Sequence, residues 1–288
     1  MKLTAIIVCQ SKREKGFERA LKSVGFADEV MVEERPEIVD YAAARNEAMR
    51  KAGGKWVLFL DSDEEISGGL KKEIRQITDK SYKDYKNYNI SGAYFRRKDC
   101  FLGRWLGHGE TASVRLLRLG RKDAGRWERP IHEMWMIGGR TEELKNPILH
   151  YSHQSVDGMA EKLDRYAEIE AEYRISRWLA RWRKFARSSS ATPPRLRSGS
   201  DWPQTAAVSL ANLPTSLTFS ARNLYISIVY FQLMFFPFAK FIQNYFLRLG
   251  VLDGMEGFIH ALMMSGHSFL VRAKILTRYE STCPQCFA

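Results

Sequence analysis

The sequence predicts an α/β domain, a mostly parallel sheet with flanking helices, followed by an apolar helical region toward the C terminus. Three observations carry this. Short β-branched runs alternate with helix-period segments over residues 3–78. An acidic loop follows one of the most apolar runs, and a Ser/Pro/Arg-rich stretch separates this half from an aromatic-rich one.

Leu3 to Val8 is a short apolar run and reads as a buried strand. Glu14 to Val24 reads as a helix with Phe17, Ala20, Leu21 and Val24 on one face. Glu29 to Val32 is a second strand. Tyr41 to Ala52 is an Ala-rich helix ended by Gly53 and Gly54. Trp56 to Leu60 is a third buried strand, running straight into Asp61-Ser62-Asp63-Glu64, and a helix follows from Gly69 to Thr78. In such an alternation ligands sit beyond the carboxyl ends of the strands, where Asp61 falls. From Ser91 to His150 the pattern changes, with strands expected at Ala93–Arg97 and Ser113–Leu119. Ser155 to Phe185 reads as one long helix or two. The expected organisation is a catalytic-type α/β domain over 1–153, an amphipathic helical extension over 154–187, a linker over 188–212, an apolar helical membrane-associating region over 213–280, and a tail over 281–288.

A chain of 288 residues with 45% hydrophobic and 27% charged side chains excludes wholesale disorder, a collagen and a polytopic membrane protein. A formal charge of +12 favours anionic partners, whether nucleic acid, phosphorylated small molecules or an acidic membrane surface. No nucleic-acid motif accompanies that charge, so nucleic acid is not expected as a partner. Four cysteines do not make a disulfide framework, and the first residues lack a long apolar signal core, which points to a cytosolic, reducing setting. Cys283-Pro-Gln-Cys286 reads as a frayed tail rather than a zinc site, and Cys9 and Cys100 as small apolar residues.

Asp61-x-Asp63 is the most informative local feature. A hard divalent cation wants oxygen ligands and shares its shell readily with phosphates, so two carboxylates on a tight turn suit Mg²⁺ or Mn²⁺ with a diphosphate. The competing reading is a solvated acidic turn leading into the next helix, with Ser67 as its N-cap.

Phe26-Ala-Asp-Glu-Val30, Ala44-Arg-Asn46, Gly54 to Glu64, Phe101-Leu-Gly-Arg-Trp-Leu-Gly-His108, Glu128-Arg-Pro-Ile-His-Glu133 and Leu149-His-Tyr-Ser152 occur in this order. Together they resemble the family 2 glycosyltransferases with the GT-A fold, with the greatest similarity to the lipopolysaccharide-core glucosyltransferase branch. Tyr245 to Gly254, with Gly257-Phe-Ile, resembles the membrane-facing end of that branch. The resemblance implies inverting transfer of a hexose from a nucleotide-sugar donor, UDP-glucose by analogy, to a lipid-linked or envelope-glycan acceptor. It also implies a place at the cytoplasmic face of the inner membrane, peripheral or shallowly inserted. Asp63 would be the chief metal contact, with Asp61 beside it and nearer the nucleotide. Arg45, Asn46 and Ser62 would lie near the donor. Glu133 would be the catalytic base, with His132 holding or polarising it, and His150 a further metal or phosphate ligand. A buried structural role for His150 is the alternative. The chemistry supports a single base independently: inversion needs one group to take the acceptor proton, and the leaving diphosphate needs positive charge rather than a protein acid.

One departure stands out. The strand ending near Val32 passes directly to Tyr41, so roughly twenty residues of the family's usual αβ unit are missing, by the usual length of such a unit. Either Glu33 and Glu34 substitute for the missing nucleoside contacts or donor binding is impaired. In the second case the chain is a membrane-bound pseudo-transferase, a scaffold or glycan-binding module.

Arg174, Arg177, Arg181 and Lys184 form a helical stripe opposite Ile175, Trp178, Leu179, Trp182 and Phe185. This is the profile of a helix in an anionic membrane interface, or of a helix packed on its own domain with solvated arginines. Leu224 to Ala239 is short of the roughly 20 residues a spanning helix needs; with its aromatic load it is expected to add to the same membrane contact, a re-entrant or shallow hairpin and a core helix being the alternatives.

Overall fold

In a computed structural model of the chain, the described residues are 2–36, 38, 40–79, 90–129, 133–188 and 215–281. The chain divides into two compact units, Met1–Met159 with Gln243–Ala261, and Ala160–Ile242 with Leu262–Ala288. The two interleave in sequence, and residues 215–281 contribute to both.

In the first unit β1 (Leu3–Cys9), α1 (Phe17–Ser23), β2 (Glu29–Glu34), α2 (Tyr41–Lys51) and β3 (Trp56–Asp61) alternate as expected. β4 (Glu64–Ile66) and α3 (Gly68–Thr78) follow, and Ser67 caps α3 by accepting from the Leu70 amide at 3.3 Å. Next come the long β5 (Ile90–Phe101), β6 (Arg104–Trp105), β7 (Arg115–Arg121), the hairpin strands β8 (Gly125–Glu128) and β9 (Met134–Ile137), β10 (Arg140–Glu143) and β11 (Ile148–His153). The main sheet runs β2-β1-β3-β7-β5-β11-β4. β2, β1 and β3 are parallel, and antiparallel pairings enter where β7 joins β3 and β5, so the sheet as a whole is mixed. β2 is the edge strand, and only Arg35–Asp40 separates it from α2.

β1 is buried along its whole length, and its side chains alternate between two cores. Ala5, Ile7 and Cys9 join Phe17 and Ala20 of α1 and Leu70 and Ile74 of α3 on one face. Ile6 and Val8 join Ala48 and Met49 of α2, Phe59 of β3, and Trp127 and Trp135 of the hairpin on the other. Each Val, Leu, Ile, Phe or Met among them stabilises the fold by about 1.5–3 kcal/mol when fully buried. The second face positions the site: α2 and the β8–β9 hairpin both pack on it beside the end of β3. Gly125 permits the hairpin's close approach, since an added Cβ would lie 1.9 Å from the Met136 carbonyl oxygen.

The C-terminal segment of this unit is a turn of π-helix (Gln243–Leu247), a 3-10 turn (Gly250–Asp253) and the start of α6 (Gly254–Ser281). Asp253 ties it down by accepting from the amides of Gly107 at 3.0 Å and His108 at 2.8 Å and contacting the His108 ring at 3.1 Å.

In the second unit, residues of α4 (Val156–Ser188), α5 (Thr215–Ile242) and α6 form a helical core around Ala167, Ala171, Ile175, Ile226, Val229, Val271 and Ile275. Ser155–Phe185 is thus one helix rather than two. The part of its apolar stripe that is described turns inward: Ile175 is buried and Trp178 stacks on Tyr225, ring centroids 4.6 Å apart. A helical period marks which face is apolar, not what covers it, and here the cover is α5 and α6. The side chains of Leu179, Trp182, Lys184 and Phe185, residues 189–214 and the Cys283/Cys286 pair lie outside the described residues. α5 behaves differently. Leu224–Leu247 is long and apolar enough to cross a membrane, and only 11% of its most apolar stretch is buried. Phe231, Met234, Phe235 and Phe238 are all exposed on it.

Candidate active site

Asp61 ends β3 beside the second face of the sheet. Its Oδ1 accepts from Arg45 Nη2 at 2.7 Å, and its Oδ2 from Arg118 Nη2 at 2.5 Å. Burial opposes its charge, but the guanidiniums of Arg118 and Arg45 outweigh burial and hold the carboxyl at about 2. The same Arg45 nitrogen lies 2.9 Å from Glu133 Oε1. Arg45 is 1% exposed, whereas Asp61 and Glu133 keep 32% and 17% of their side chains open to solvent. One buried guanidinium therefore joins two accessible carboxylates, one from a strand end and one from the hairpin.

The sequence places these groups by different means. Arg45 projects from the middle of α2, with its guanidinium over the rings of Trp127 and Phe59 at 4.7 and 5.4 Å. Asn46, the next residue, fixes the hairpin itself: its side chain donates to the Trp127 carbonyl and accepts from the Trp127 amide, each at 2.9 Å. Its donor and acceptor are thus both committed to backbone. Trp127 and Trp135 stack at 5.3 Å, and each meets Phe59 edge-on. Arg129, just after β8, has φ 75°, a conformation that costs a non-glycine residue about 1–3 kcal/mol.

Asp63 and His150 form a second cluster. His150 on β11 has Nε2 3.4 Å from Asp63 Oδ2, and its Nδ1 is held by buried Asp99. Burial works against the imidazolium, but Asp63 and Asp99 prevail and raise the His150 pKa to about 9. Asp99 in turn is held below its ordinary range, against burial, by His150 and Arg97. The backbone links this pair to the acidic loop, since the Tyr151 amide donates to the Asp63 carbonyl at 2.9 Å.

Sequence reasoning missed four members of the site. Arg118 is buried on β7 between Asp61 and Glu64, contacting Glu64 Oε1 at 3.2 Å. Glu64 is almost wholly buried; burial pushes its carboxyl up, and its Oε2 accepts from the Asp61 amide at 3.0 Å. Asp99 orients His150. Glu14 accepts from the Gln10 and Ser11 amides and meets the Ser62 hydroxyl, so Ser62 is turned toward the α1 side. Only Glu64 had a visible signal, as part of the acidic loop. His132 lies outside the described residues. Among the described residues, no group of three or more His, Cys, Asp or Glu side chains is arranged to hold a metal ion by itself.

Residues 5–134 match the model of the family described as Glycosyl transferase family 2. A search of curated proteins finds no match to this chain. Among solved structures, the chain is similar to the crystal structure of S. aureus TarS, at 13% identity and TM-score 0.35, covering 98% of this chain and 55% of that one. It therefore spans about half the length of that protein. It is also similar to S. aureus TarS 1–349, at 14% identity and TM-score 0.35, covering 98% of this chain and 90% of that one. The third is TarS 1–349 in complex with UDP, at 13% identity and TM-score 0.36, with the same coverage of 98% and 90%. The matched span holds Arg45, Asp61, Arg118 and Glu133.

Proposed function

We propose that the chain is an inverting glycosyltransferase that moves a hexose, glucose by resemblance, from a UDP-linked donor to a lipopolysaccharide-core or other envelope-glycan acceptor. The observation that carries this reading is the single Arg45 nitrogen shared by Asp61 and Glu133. It sets a candidate donor-side carboxylate and a candidate base about one guanidinium apart, inside the span that matches the glycosyltransferase family 2 model.

In this reading Glu133 takes the proton from the acceptor hydroxyl as that oxygen attacks the anomeric carbon. Arg45 orients the Glu133 carboxylate and, with Arg118, keeps Asp61 ionised and fixed. The Asp63–His150 pair fits a divalent cation, Mn²⁺ or Mg²⁺, whose binding would displace the proton from His150 Nε2: that nitrogen faces Asp63 while Asp99 holds Nδ1, as carboxylates orient metal-ligating histidines. Two protein ligands leave the rest of the shell to the donor's phosphates. Asp61 fits less well as a direct ligand, because both its oxygens are engaged by arginines. A bound cation supplies positive charge to the departing diphosphate. The exposed apolar face of α5 supports attachment to a membrane, at the cytoplasmic side of the inner membrane by resemblance.

A second reading, a membrane-bound scaffold that has lost donor binding, rests on the short β2–α2 connection. Glu33 is tied to Arg35 at 2.8 Å and Lys51 at 3.3 Å, and Glu34 accepts from the Lys12 amide at 3.0 Å, so neither is poised as a nucleoside contact. Calorimetry with UDP and Mn²⁺ separates the two. An enzyme binds UDP in a metal-dependent way that Asp63→Ala weakens, and a scaffold shows no metal-dependent heat.

A further inference from the structure

Arg272 on α6 is 4% exposed, yet among the described residues no carboxylate lies within ion-pairing distance of it. Its Nη1 donates to the carbonyl and hydroxyl of Ser268, at 2.7 and 2.8 Å, both neutral acceptors. Its Nε is buried with no hydrogen-bond partner. The guanidinium stacks on Phe236 of α5, 4.3 Å from the ring centroid. Glu170 on α4 is a carboxylate whose charge reaches Arg272, but Arg174 pairs with it at 2.5 Å and adds its own like charge to the surroundings. A buried cation is strongly unfavourable without a counter-charge, and neutral acceptors and an aromatic face offset only part of the cost. One buried guanidinium without a carboxylate partner thus lies against Phe236 on the apolar helix α5.

We propose that Arg272 forms an anion site that takes the phosphate of an anionic phospholipid headgroup, with the acyl chains lying along the exposed aromatic face of α5. This rests on the membrane reading above and deepens it by naming the lipid chemistry. Two features favour a lipid over a soluble anion. Phe236 is half-exposed and its ring covers the guanidinium, so a ligand reaching Arg272 also meets apolar surface. The neighbouring Phe235, Phe238 and Met234 remain uncovered unless the ligand brings hydrocarbon with it.

The test is binding of the full chain to vesicles of phosphatidylcholine alone and of phosphatidylcholine with phosphatidylglycerol, for wild type, Arg272→Met and Arg272→Lys. Wild type prefers the anionic vesicles. Arg272→Met loses about fivefold in affinity for them, the worth of one basic residue at a charged surface, and is unchanged on neutral ones. Arg272→Lys keeps most of the preference. Without lipid, Arg272→Met melts no lower than wild type, which separates lost recognition from lost folding. The proposal is overturned if Arg272→Met binds anionic vesicles as tightly as wild type. It is also overturned if millimolar inorganic phosphate alone raises the melting temperature as much as anionic vesicles do, which would make the ligand a soluble anion. Failure of wild type to bind either vesicle overturns the membrane reading together with the site, whereas equal binding of all three proteins to both vesicles overturns the site alone.

Discussion

Arg45 of α2 lies 2.9 Å from Glu133, and the nitrogen that makes this contact also donates to Asp61 at 2.7 Å. The helix interior thereby couples the end of β3 to the residue that precedes β9. Removing the guanidinium leaves Glu133 without this partner, although Asp61 keeps Arg118. Arg45→Leu is expected to cost about 3 kcal/mol in urea denaturation, the low end for a buried pair that loses one member. Arg45→Lys should recover little of this, because a lysine lacks the planar fork and its stacking on Trp127.

Asn46 holds the hairpin by two hydrogen bonds to the Trp127 backbone. Asn46→Ala leaves a largely buried amide and carbonyl unsatisfied, with an expected loss of about 1–3 kcal/mol. Asn46→Asp keeps the acceptor and loses the donor, so its loss should be smaller. Indole fluorescence of the stacked Trp127–Trp135 pair reports whether the hairpin loosens before the rest of the domain unfolds.

Asp253 carries an acid-sensitive part of the fold. Burial opposes its charge, but the Gly107 amide and the His108 side chain and amide lower its pKa below the ordinary 3.8. A carboxyl with a lowered folded-state pKa binds its proton more readily when unfolded. Its stabilising contribution is therefore present above about pH 4 and is lost as pH falls through the folded value. Thermal melts from neutral pH downward should show wild type losing stability below about pH 4 more steeply than Asp253→Asn, which begins less stable and changes less.

The first half of the fold was legible because its signals are local. Apolar strands, the Ala-rich α2 and the Ser67 cap each declare themselves within a few residues, and their order gives the parallel run of β2, β1 and β3. The acidic loop was visible as a candidate for the same reason, whereas Glu133 was visible only through the family resemblance. Arg118, Asp99 and Glu14 were not, because their importance comes from which strands and loops lie side by side. Arg118 matters only once β7 pairs with β3, and Asp99 only once β5 lies against β11. Asn46 was placed near the donor, whereas its amide is spent on Trp127, a partner far away in sequence. The α4 stripe shows a different limit. Arginines opposite aromatics at helical spacing fit a lipid-facing helix and a core-facing one equally, and the stacking of Trp178 on Tyr225 decides for the core at the described part of the stripe.

The central claim is that Glu133 is the proton acceptor in sugar transfer. The direct measurement is the rate of transfer from a UDP-sugar by Glu133→Gln at saturating donor and Mn²⁺, with UDP affinity measured in parallel. The substitution keeps the side chain's size and removes its basicity, so the rate should fall by about 10²–10⁴-fold while UDP affinity stays within a factor of a few. Transfer by Glu133→Gln at the wild-type rate would contradict the account.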